Sequence, residues 1–193
     1  MLRLKGKNKG FSSVYKILTN QKIYKIYNKT AFSEYFRDRQ SEFKKLFNEV
    51  NNLKLSVKHK VISRNIIEIE ELKSDQNLNI KGLFNDNKLL KNFLNQIKKI
   101  NSINKNVTSR KIINEIDNYV RHNSRHQKIN NKISKIEKYL EVYDQNKICH
   151  GDLHLGNIFI KKNRFLFLDW DYFILSSSGY DLAMFAYLEN LNK

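Results

Sequence analysis

The feature that most constrains the fold lies near the end of the chain, where a polar loop precedes two short apolar strands joined by a polar turn. The loop runs from His150 to Asn157, the strand candidates are residues 158–160 and 165–168, and the turn is residues 161–164. This pattern predicts a β-hairpin, which brings the beginning of its first strand beside the end of its second. We therefore expect Asp169, which follows the second strand, to lie next to the loop.

The loop and Asp169 carry the residue types that phosphoryl transfer requires. Asp152 is suited to accept a proton from a substrate hydroxyl, as a general base must. Asn157 and Asp169 offer the hard oxygen ligands that Mg²⁺ prefers. Because neighbouring carboxylates repel each other, Mg²⁺ would compensate their charge while the ATP phosphates complete its coordination. The pattern therefore indicates ATP and Mg²⁺ as cofactors of a phosphoryl-transfer site.

Length and composition narrow the class of protein. The 193 residues suffice for one core or two small lobes, and 40% hydrophobic residues are typical of a globular chain. The N-terminus lacks the apolar core of a signal peptide, and no run of about 18 apolar residues is present. The single cysteine, Cys149, cannot form an internal disulfide and is expected to be buried. We expect a cytoplasmic protein without a transmembrane segment.

The net charge of +17 is spread over the whole chain. Since neither a basic helix nor an RNA-binding aromatic motif appears, we expect a solvated basic surface and no specific nucleic-acid partner. That surface would still attract ATP and associate weakly with anionic membranes. A nucleic-acid binder is the alternative that charge alone suggests. The sequence carries no signal for an oligomeric state.

The first third of the chain predicts a small sheet. A glycine-containing turn at residues 6–13 lies before a strand candidate at residues 14–18. Such a turn can lay backbone N–H groups over phosphates, although an ordinary hairpin has the same composition. The candidate nucleotide-binding residues in it are Gly10, Ser12 and Ser13. The segment Lys22–Tyr27 then alternates as a strand, with Ile23, Lys25 and Tyr27 on one face.

A helix follows this sheet. Apolar residues recur at helical intervals from Ala31 to Leu53, which predicts one amphipathic helix or two with a break. An ion pair between Lys25 on the strand and Glu42 in the helix would hold the lysine toward a nucleotide. Glu34 and Glu49 are alternative partners, and solvated surface positions are the simpler interpretation.

The chain predicts two lobes. A strand candidate at Ile66–Leu72 and the polar stretch after it suggest a connection, so we assign residues 1–72 to an N-terminal nucleotide-binding lobe and residues 73–193 to a C-terminal catalytic lobe. Amphipathic periodicity predicts helices in the second lobe at residues 89–103, 112–120 and 129–143. His122 and His126 are spaced for one helical face, but without a third ligand they favour an exposed turn over a metal site.

The sequence resembles the aminoglycoside phosphotransferase and choline kinase superfamily, which is related to the protein kinases. The family's HxDxxxxN loop is met by His150, Asp152 and Asn157, and its metal-binding aspartate by Asp169 within Leu168-Asp169-Trp170-Asp171. A later family segment, aromatic-Asp-Leu-Ala, is met at residues 180–183. The resemblance covers nearly the whole chain and is closest to the bacterial LicA-type choline kinases.

The resemblance implies an α+β, bilobal protein-kinase-like fold. A small N-terminal antiparallel sheet plus helix would form one lobe, and a mainly helical C-terminal lobe would carry the catalytic-loop hairpin. Members of the family usually continue with further helices beyond the segment that contains Asp181, whereas this chain ends at Lys193. We therefore expect a C-terminally short member, either a shortened enzyme or a fragment, in which part of the family's acceptor pocket is missing.

The resemblance also implies roles at the matching positions. Asp152 would be the catalytic base, and His150 would orient the catalytic loop by hydrogen bonding. Asn157 and Asp169 would be the metal ligands, and Asp181 would be a structural anchor for the loop.

Residues elsewhere match the family with less specificity. Lys25 and Glu42 correspond to its Lys–Glu pair. Asp171, Tyr172 and Glu189 are candidates for contact with a quaternary ammonium group of the acceptor, through charge and cation–π interaction.

The activity implied is that of an ATP- and Mg²⁺-dependent small-molecule kinase, which transfers the γ-phosphate to a hydroxyl of choline or a related amino alcohol. The alternatives within the class are kinases for thiamine, a sugar or an aminoglycoside. The alternative outside it is a catalytically inactive kinase-like binding protein.

Overall fold

The computed structural model describes six stretches of the chain, the first two by their backbone alone: residues 4–9, 12–17, 22–27, 38–71, 78–115 and 144–189. Both strands and helices occur in these stretches, which confirms the predicted α+β class. Of the helices in them, none is long and apolar enough to cross a membrane.

The chain divides into two compact units. The first comprises Met1–Asn77 with Phe159–Leu168, and the second comprises Leu78–Ile158 with Asp169–Lys193. Most of the hairpin that follows the catalytic loop thus belongs to the first unit. The lobe boundary placed at residue 72 from the sequence stays a prediction.

The first unit is built on a five-stranded antiparallel sheet with the order β1-β2-β3-β5-β4. Its strands are β1 (Leu4–Lys9), β2 (Ser12–Ile17), β3 (Lys22–Tyr27), β4 (His59–Ser63) and β5 (Ile66–Glu70). The central strand β3 pairs with β2 on one side and with β5 on the other. The small antiparallel sheet expected in the N-terminal part of the chain is therefore present.

Strands β1 and β2 replace much of the turn predicted at residues 6–13. Gly6 pairs with Tyr15, and Lys9 pairs with Ser12, so only residues 10 and 11 connect the two strands. The prediction of a long turn was wrong, because backbone pairing with a neighbouring strand outweighs the low strand preference of glycine, asparagine and lysine. Gly10 lies outside the described residues.

The two faces of β3 differ in burial, as its alternating sequence predicts. Lys25 and Tyr27 are buried on one face. On the other face, the Lys22 ammonium and the Tyr24 hydroxyl each donate a hydrogen bond of 2.8 Å to Glu68 of β5. Both hydrogen bonds lower the pKa of the Glu68 carboxyl, and the bond from Lys22 contributes more.

Helix α1 (Gln40–Asn52) covers part of the first unit's core. Its buried side chains follow the predicted helical spacing: Phe43, Leu46, Phe47 and Val50. The ring of Phe47 stacks on His59 of β4 with the centroids 4.7 Å apart, so the helix packs against the sheet. The predicted helix also included residues 31–37, which lie outside the described residues.

The hairpin that follows the catalytic loop is formed by β7 (Ile158–Lys161) and β8 (Arg164–Phe167). Its turn residues Lys162 and Asn163 have positive φ angles of 50° and 58°, as a two-residue hairpin turn requires. Phe167 ties the end of β8 to the first unit. Its N–H donates to the Leu55 carbonyl at 2.8 Å, and its carbonyl accepts from the Ser56 hydroxyl at 2.6 Å.

The described part of the second unit contains three complete helices, a helical segment at residues 112–115 that belongs to the helix predicted at 112–120, and a two-stranded sheet. The helices are α2 (Ile80–Asn85), α3 (Asn87–Asn101) and α4 (Tyr180–Leu188), and the antiparallel strands are β6 (Lys147–Cys149) and β9 (Ile174–Ser176). Helices α3 and α4 meet through Phe93 and Phe185, whose ring centroids are 5.3 Å apart. Asn101, at the end of α3, donates to the Ile148 carbonyl of β6 at 2.9 Å.

Several predicted features of the second unit lie outside the described residues. They are the helix at residues 129–143, the later part of the helix at 112–120, and His122 and His126. The helix predicted at residues 89–103 corresponds to α3, whose start is capped by the Asp86 carboxylate accepting from two backbone N–H groups at 2.9 Å.

Candidate active site

The catalytic loop, residues 150–157, connects β6 to β7. Its last three residues, Leu155–Asn157, form a 3₁₀ turn that leads directly into β7. Because β6 pairs with β9, and α4 begins shortly after β9, the start of α4 is brought beside the start of the loop. This pairing gives α4 access to the backbone of the catalytic loop.

Asp181 in the first turn of α4 binds the start of the loop. The residue is fully buried, and its two carboxylate oxygens accept from the N–H of His150 at 2.8 Å and from the N–H of Gly151 at 3.1 Å. Burial raises the pKa of the Asp181 carboxyl from 3.8 to about 6, although both N–H groups favour the charged form. Asp181 thus has the contacts expected of an anchor for the loop.

His150 is buried in the loop and supports its backbone. Its ring packs on Trp170, with the ring centroids 4.6 Å apart, and its Nδ1 accepts from the N–H of Asp152 at 3.4 Å. His150 was predicted to orient the loop, and its contacts with Trp170 and with the N–H of Asp152 are consistent with that prediction.

Asp152 and Asn157 meet across the loop. The side-chain Nδ2 of Asn157 donates to the Asp152 carbonyl at 3.0 Å and to its carboxylate at 3.2 Å. The side chain of Asp152 is about one-third exposed, so a substrate hydroxyl can reach it. The structure therefore brings the predicted base and one predicted metal ligand into direct contact.

His154 is a neighbour of Asp152 that sequence reasoning missed. Its Nε2 lies 3.8 Å from the Asp152 carboxylate, and its Nδ1 accepts from the N–H of Gly156 at 3.1 Å. The spacing of two residues could have predicted this contact, because side chains two positions apart in an extended segment point the same way. His154 has extended backbone angles. A protonated His154 would add positive charge beside the base.

The residues expected to hold Mg²⁺ offer suitable oxygen atoms. The Nδ2 of Asn157 donates to Asp152, and its Oδ1 has no hydrogen-bond partner in the described part of the chain. Asp169 is exposed, with φ 65° and ψ 59°, directly before the 3₁₀ turn Trp170–Tyr172. An amide oxygen and a carboxylate fit a hard cation that completes its coordination with phosphates. Within the described residues, no three His, Cys, Asp or Glu side chains form a metal cluster on their own.

The 3₁₀ turn after Asp169 packs closely on the start of the loop. Gly151 has a φ of +85°, and a Cβ atom built on it would lie 2.0 Å from the carbonyl oxygen of Tyr172. No other residue type fits this approach without displacing one of the two segments. Together with the contact of Trp170 on His150, this packing holds Asp169 beside the loop.

The three residues proposed to contact the acceptor have different surroundings. Asp171 is 7% exposed, whereas the adjacent Tyr172 is 45% exposed. Glu189, at the end of α4, is half-buried, and its Oε1 accepts from the N–H of Leu155 at 2.7 Å. One carboxylate oxygen of Glu189 is therefore bound to the catalytic loop.

The Lys–Glu pair expected in the first unit stays a prediction for Lys25, because the alternative partner Glu34 lies outside the described residues. The ammonium of Lys25 is buried on β3, 5.4 Å from the centre of the Tyr27 ring. Glu42 is bound by Arg39, with 2.7 Å between Nε and Oε2, because residues three apart on a helix are neighbours. The structure thus pairs Glu42 with Arg39 and not with Lys25. Ser12 and Ser13 lie on β2, opposite Tyr27 and Ile26 of β3.

Solved structures share this fold. A choline/ethanolamine kinase family protein from Mesorhizobium loti is 14% identical in sequence, with a TM-score of 0.71. The match covers 98% of this chain and 65% of that protein. Choline kinase LicA from Streptococcus pneumoniae is 20% identical with a TM-score of 0.71, at 98% and 70% coverage. A streptomycin–ATP ternary complex of an aminoglycoside phosphotransferase is 14% identical with a TM-score of 0.65, at 93% and 69% coverage.

These similarities show a protein-kinase-like fold, which confirms the predicted fold class. No curated protein sequence matches the chain. A family model for choline/ethanolamine kinase matches residues 9–190, and the chain therefore belongs to that family. The resemblance inferred from the motifs is confirmed. The chain spans between 65% and 70% of the length of the three structures.

Replacing Gly151 by alanine should damage the site, because the new Cβ meets the Tyr172 carbonyl and alanine disfavours a positive φ. We expect Gly151→Ala to lower the free energy of unfolding by more than about 2 kcal/mol in urea titrations followed by the fluorescence of Trp170. Gly179→Ala is the matched control, since a Cβ there meets nothing within 4 Å, and its change should stay within about 1 kcal/mol. Equal effects of the two substitutions would contradict the packing described.

The raised pKa of Asp181 predicts a pH dependence of stability. Between about pH 4 and pH 6 the folded chain keeps a proton on Asp181 that the unfolded chain has released, so stability falls as pH rises through this window. In urea titrations, the free energy of unfolding of wild type minus that of Asp181→Asn should fall by about 2 kcal/mol from pH 4 to pH 7. A difference that is constant with pH, or that grows as pH rises, would refute the raised pKa.

Proposed function

We propose that the chain is an ATP- and Mg²⁺-dependent small-molecule kinase, which transfers the γ-phosphate to a hydroxyl of choline or a related amino alcohol. The observation that carries the proposal is the catalytic loop, in which the Asp152 carboxylate and the Asn157 amide are held 3.2 Å apart. Membership of the choline/ethanolamine kinase family supports the same reaction.

ATP is the proposed phosphate donor. A structure with the same fold is an ATP complex of an aminoglycoside phosphotransferase, which supports a nucleotide as the second substrate. The buried ammonium of Lys25 is the proposed contact for its phosphates, with Gly10, Ser12 and Ser13 as further proposed contacts. We propose no nucleotide role for Glu42, because Arg39 occupies its carboxylate.

The reaction would be an in-line displacement at the γ-phosphorus. The acceptor oxygen forms its bond to phosphorus as the bond to the bridging oxygen of ADP breaks, and the Asp152 carboxylate takes the hydroxyl proton. The Oδ1 of Asn157 and the carboxylate of Asp169 would hold Mg²⁺. When bound, this ion supplies positive charge that offsets the charge of the phosphates. Positioning by the fixed loop supplies a further share of the rate, since the proton acceptor is oriented before the substrate arrives.

The acceptor is proposed to be an amino alcohol. Tyr172 is a large exposed aromatic residue directly after Asp171, and its ring can bind an ammonium group through a cation–π interaction. Asp171 is the nearest carboxylate in the sequence to that ring and would contribute negative charge. Thiamine, sugars and aminoglycosides are the alternative acceptors, and a catalytically inactive kinase-like binding protein is the alternative without transfer.

We also propose a cytoplasmic location. The chain has a single cysteine, Cys149, which is buried and cannot form an internal disulfide, and this supports a reducing compartment. The net charge of +17 would allow weak binding to anionic membrane surfaces without specific recognition of nucleic acid.

Asp152→Asn tests the proposed base directly. The amide cannot accept the hydroxyl proton, so kcat for ADP release with choline or ethanolamine should fall by about 10²- to 10⁴-fold, while the Kd for ATP stays within about threefold. Asp144→Asn is the matched control, because Asp144 is exposed and lies before β6, and its kcat should be unchanged. A near-wild-type rate in Asp152→Asn would show that Asp152 is not the base.

A further inference from the structure

Helix α4 contributes two carboxylates to the catalytic loop, one near each end of the helix. Asp181 in its first turn accepts from the N–H groups of His150 and Gly151. Glu189, the residue that caps the end of the helix, accepts from the N–H of Leu155 at 2.7 Å. The loop is therefore bound to the same helix at its beginning and again near its end.

We propose that Glu189 is a positioning residue, whose carboxylate fixes the 3₁₀ turn Leu155–Asn157 and thereby holds Asn157 against Asp152. The sequence had suggested a direct contact between Glu189 and the acceptor. The structure favours the positioning role because an oxygen of the carboxylate is bound to the loop backbone. This inference rests on the proposed kinase reaction for its effect on catalysis, but its structural content can be tested without that reaction.

The N–H of Leu155, at the start of the 3₁₀ turn, needs a hydrogen-bond acceptor from outside the turn. The first N–H groups of a helical turn have no acceptor within the turn itself. Asn157 donates to the His154 carbonyl at 2.9 Å, and Gly156 donates to the His154 side chain at 3.1 Å. For Leu155 the acceptor is Glu189, which comes from another element and is negatively charged. A hydrogen bond to an ionised acceptor is stronger than one between neutral groups.

The turn transmits this contact to the reacting group. Leu155 and Asn157 belong to the same three-residue turn, and Asn157 donates from its side chain to the carbonyl and the carboxylate of Asp152. Loss of the bond to Glu189 leaves the N–H of Leu155 without its acceptor and loosens the turn. The carboxylate of Asp152 then loses its fixed orientation, which lowers kcat and leaves the binding of the acceptor largely intact.

The test compares Glu189→Ala and Glu189→Gln with wild type by two measurements. The first is hydrogen exchange of the Leu155 N–H, followed residue by residue by NMR. The second is kcat and KM for ADP release with ethanolamine and with choline. Glu115→Gln is the matched control, since it makes the same carboxylate-to-amide change at a residue of the second unit that pairs with Arg110 at 2.7 Å.

We expect the Leu155 N–H to be protected in wild type and to exchange at least about tenfold faster in Glu189→Ala. The kcat of that variant should fall about 10- to 100-fold, with the acceptor KM within about threefold of wild type. Glu189→Gln should restore most of the protection and most of kcat, because the amide oxygen also accepts a hydrogen bond. Glu115→Gln should leave both measurements unchanged.

Three results would overturn the proposal. Two come from hydrogen exchange: an unprotected Leu155 N–H in wild type, or equal exchange rates in wild type and Glu189→Ala. The third is a rise of about tenfold in the acceptor KM of Glu189→Gln while its kcat stays at the wild-type value. The last would instead assign Glu189 to binding the acceptor. If wild type transfers no phosphate, the proposed kinase reaction fails and the exchange of Leu155 alone decides the positioning role. If Glu189→Ala does not fold, the exchange of the Leu155 N–H and the acceptor KM in Glu189→Gln decide whether Glu189 is a positioning residue.

Discussion

Burying a carboxylate in a protein is unfavourable unless hydrogen bonds compensate for the lost hydration, and the catalytic loop of this chain is organised around such a group. Asp181 is fully buried, its pKa is raised to about 6, and its oxygens accept from the N–H groups of His150 and Gly151. These bonds fix the start of the loop where β6 ends. The contacts of His150 with Trp170 and of Gly151 with the backbone of Tyr172 depend on that position.

A fixed loop has a direct use in phosphoryl transfer, in which the protein contributes chiefly position and charge. Asp152 receives its orientation from both sides, by its N–H bound to His150 and its carboxylate bound to Asn157. The amide that holds Asp152 leaves its own oxygen available in the described structure for a cation. One side chain thus serves both the proposed base and the proposed metal site, and this links the two parts of the reaction.

Local sequence predicted the features that local physics determines. The two apolar runs on either side of the polar turn predicted the hairpin. The helical spacing of the apolar side chains in α1 predicted its buried face. Contacts between distant segments were not predictable in the same way. The pairing of β6 with β9 joins three-residue strands that carry no periodic signal, and the bond from Leu155 to Glu189 depends on where α4 ends in space. Likewise, the ion pair of Glu42 with Arg39 was not predicted, although the two residues are three positions apart at the start of α1.

We propose that this loop catalyses transfer of phosphate from ATP to an amino alcohol. Phosphorus NMR of the chain with ATP, Mg²⁺ and one acceptor at a time tests it most directly, using choline, ethanolamine, thiamine, a simple sugar, an aminoglycoside, and no acceptor. We expect a new phosphomonoester signal, together with ADP, for choline or ethanolamine and no phosphomonoester without acceptor. A spectrum in which ATP stays unchanged with both amino alcohols, although ATP binds, would contradict it.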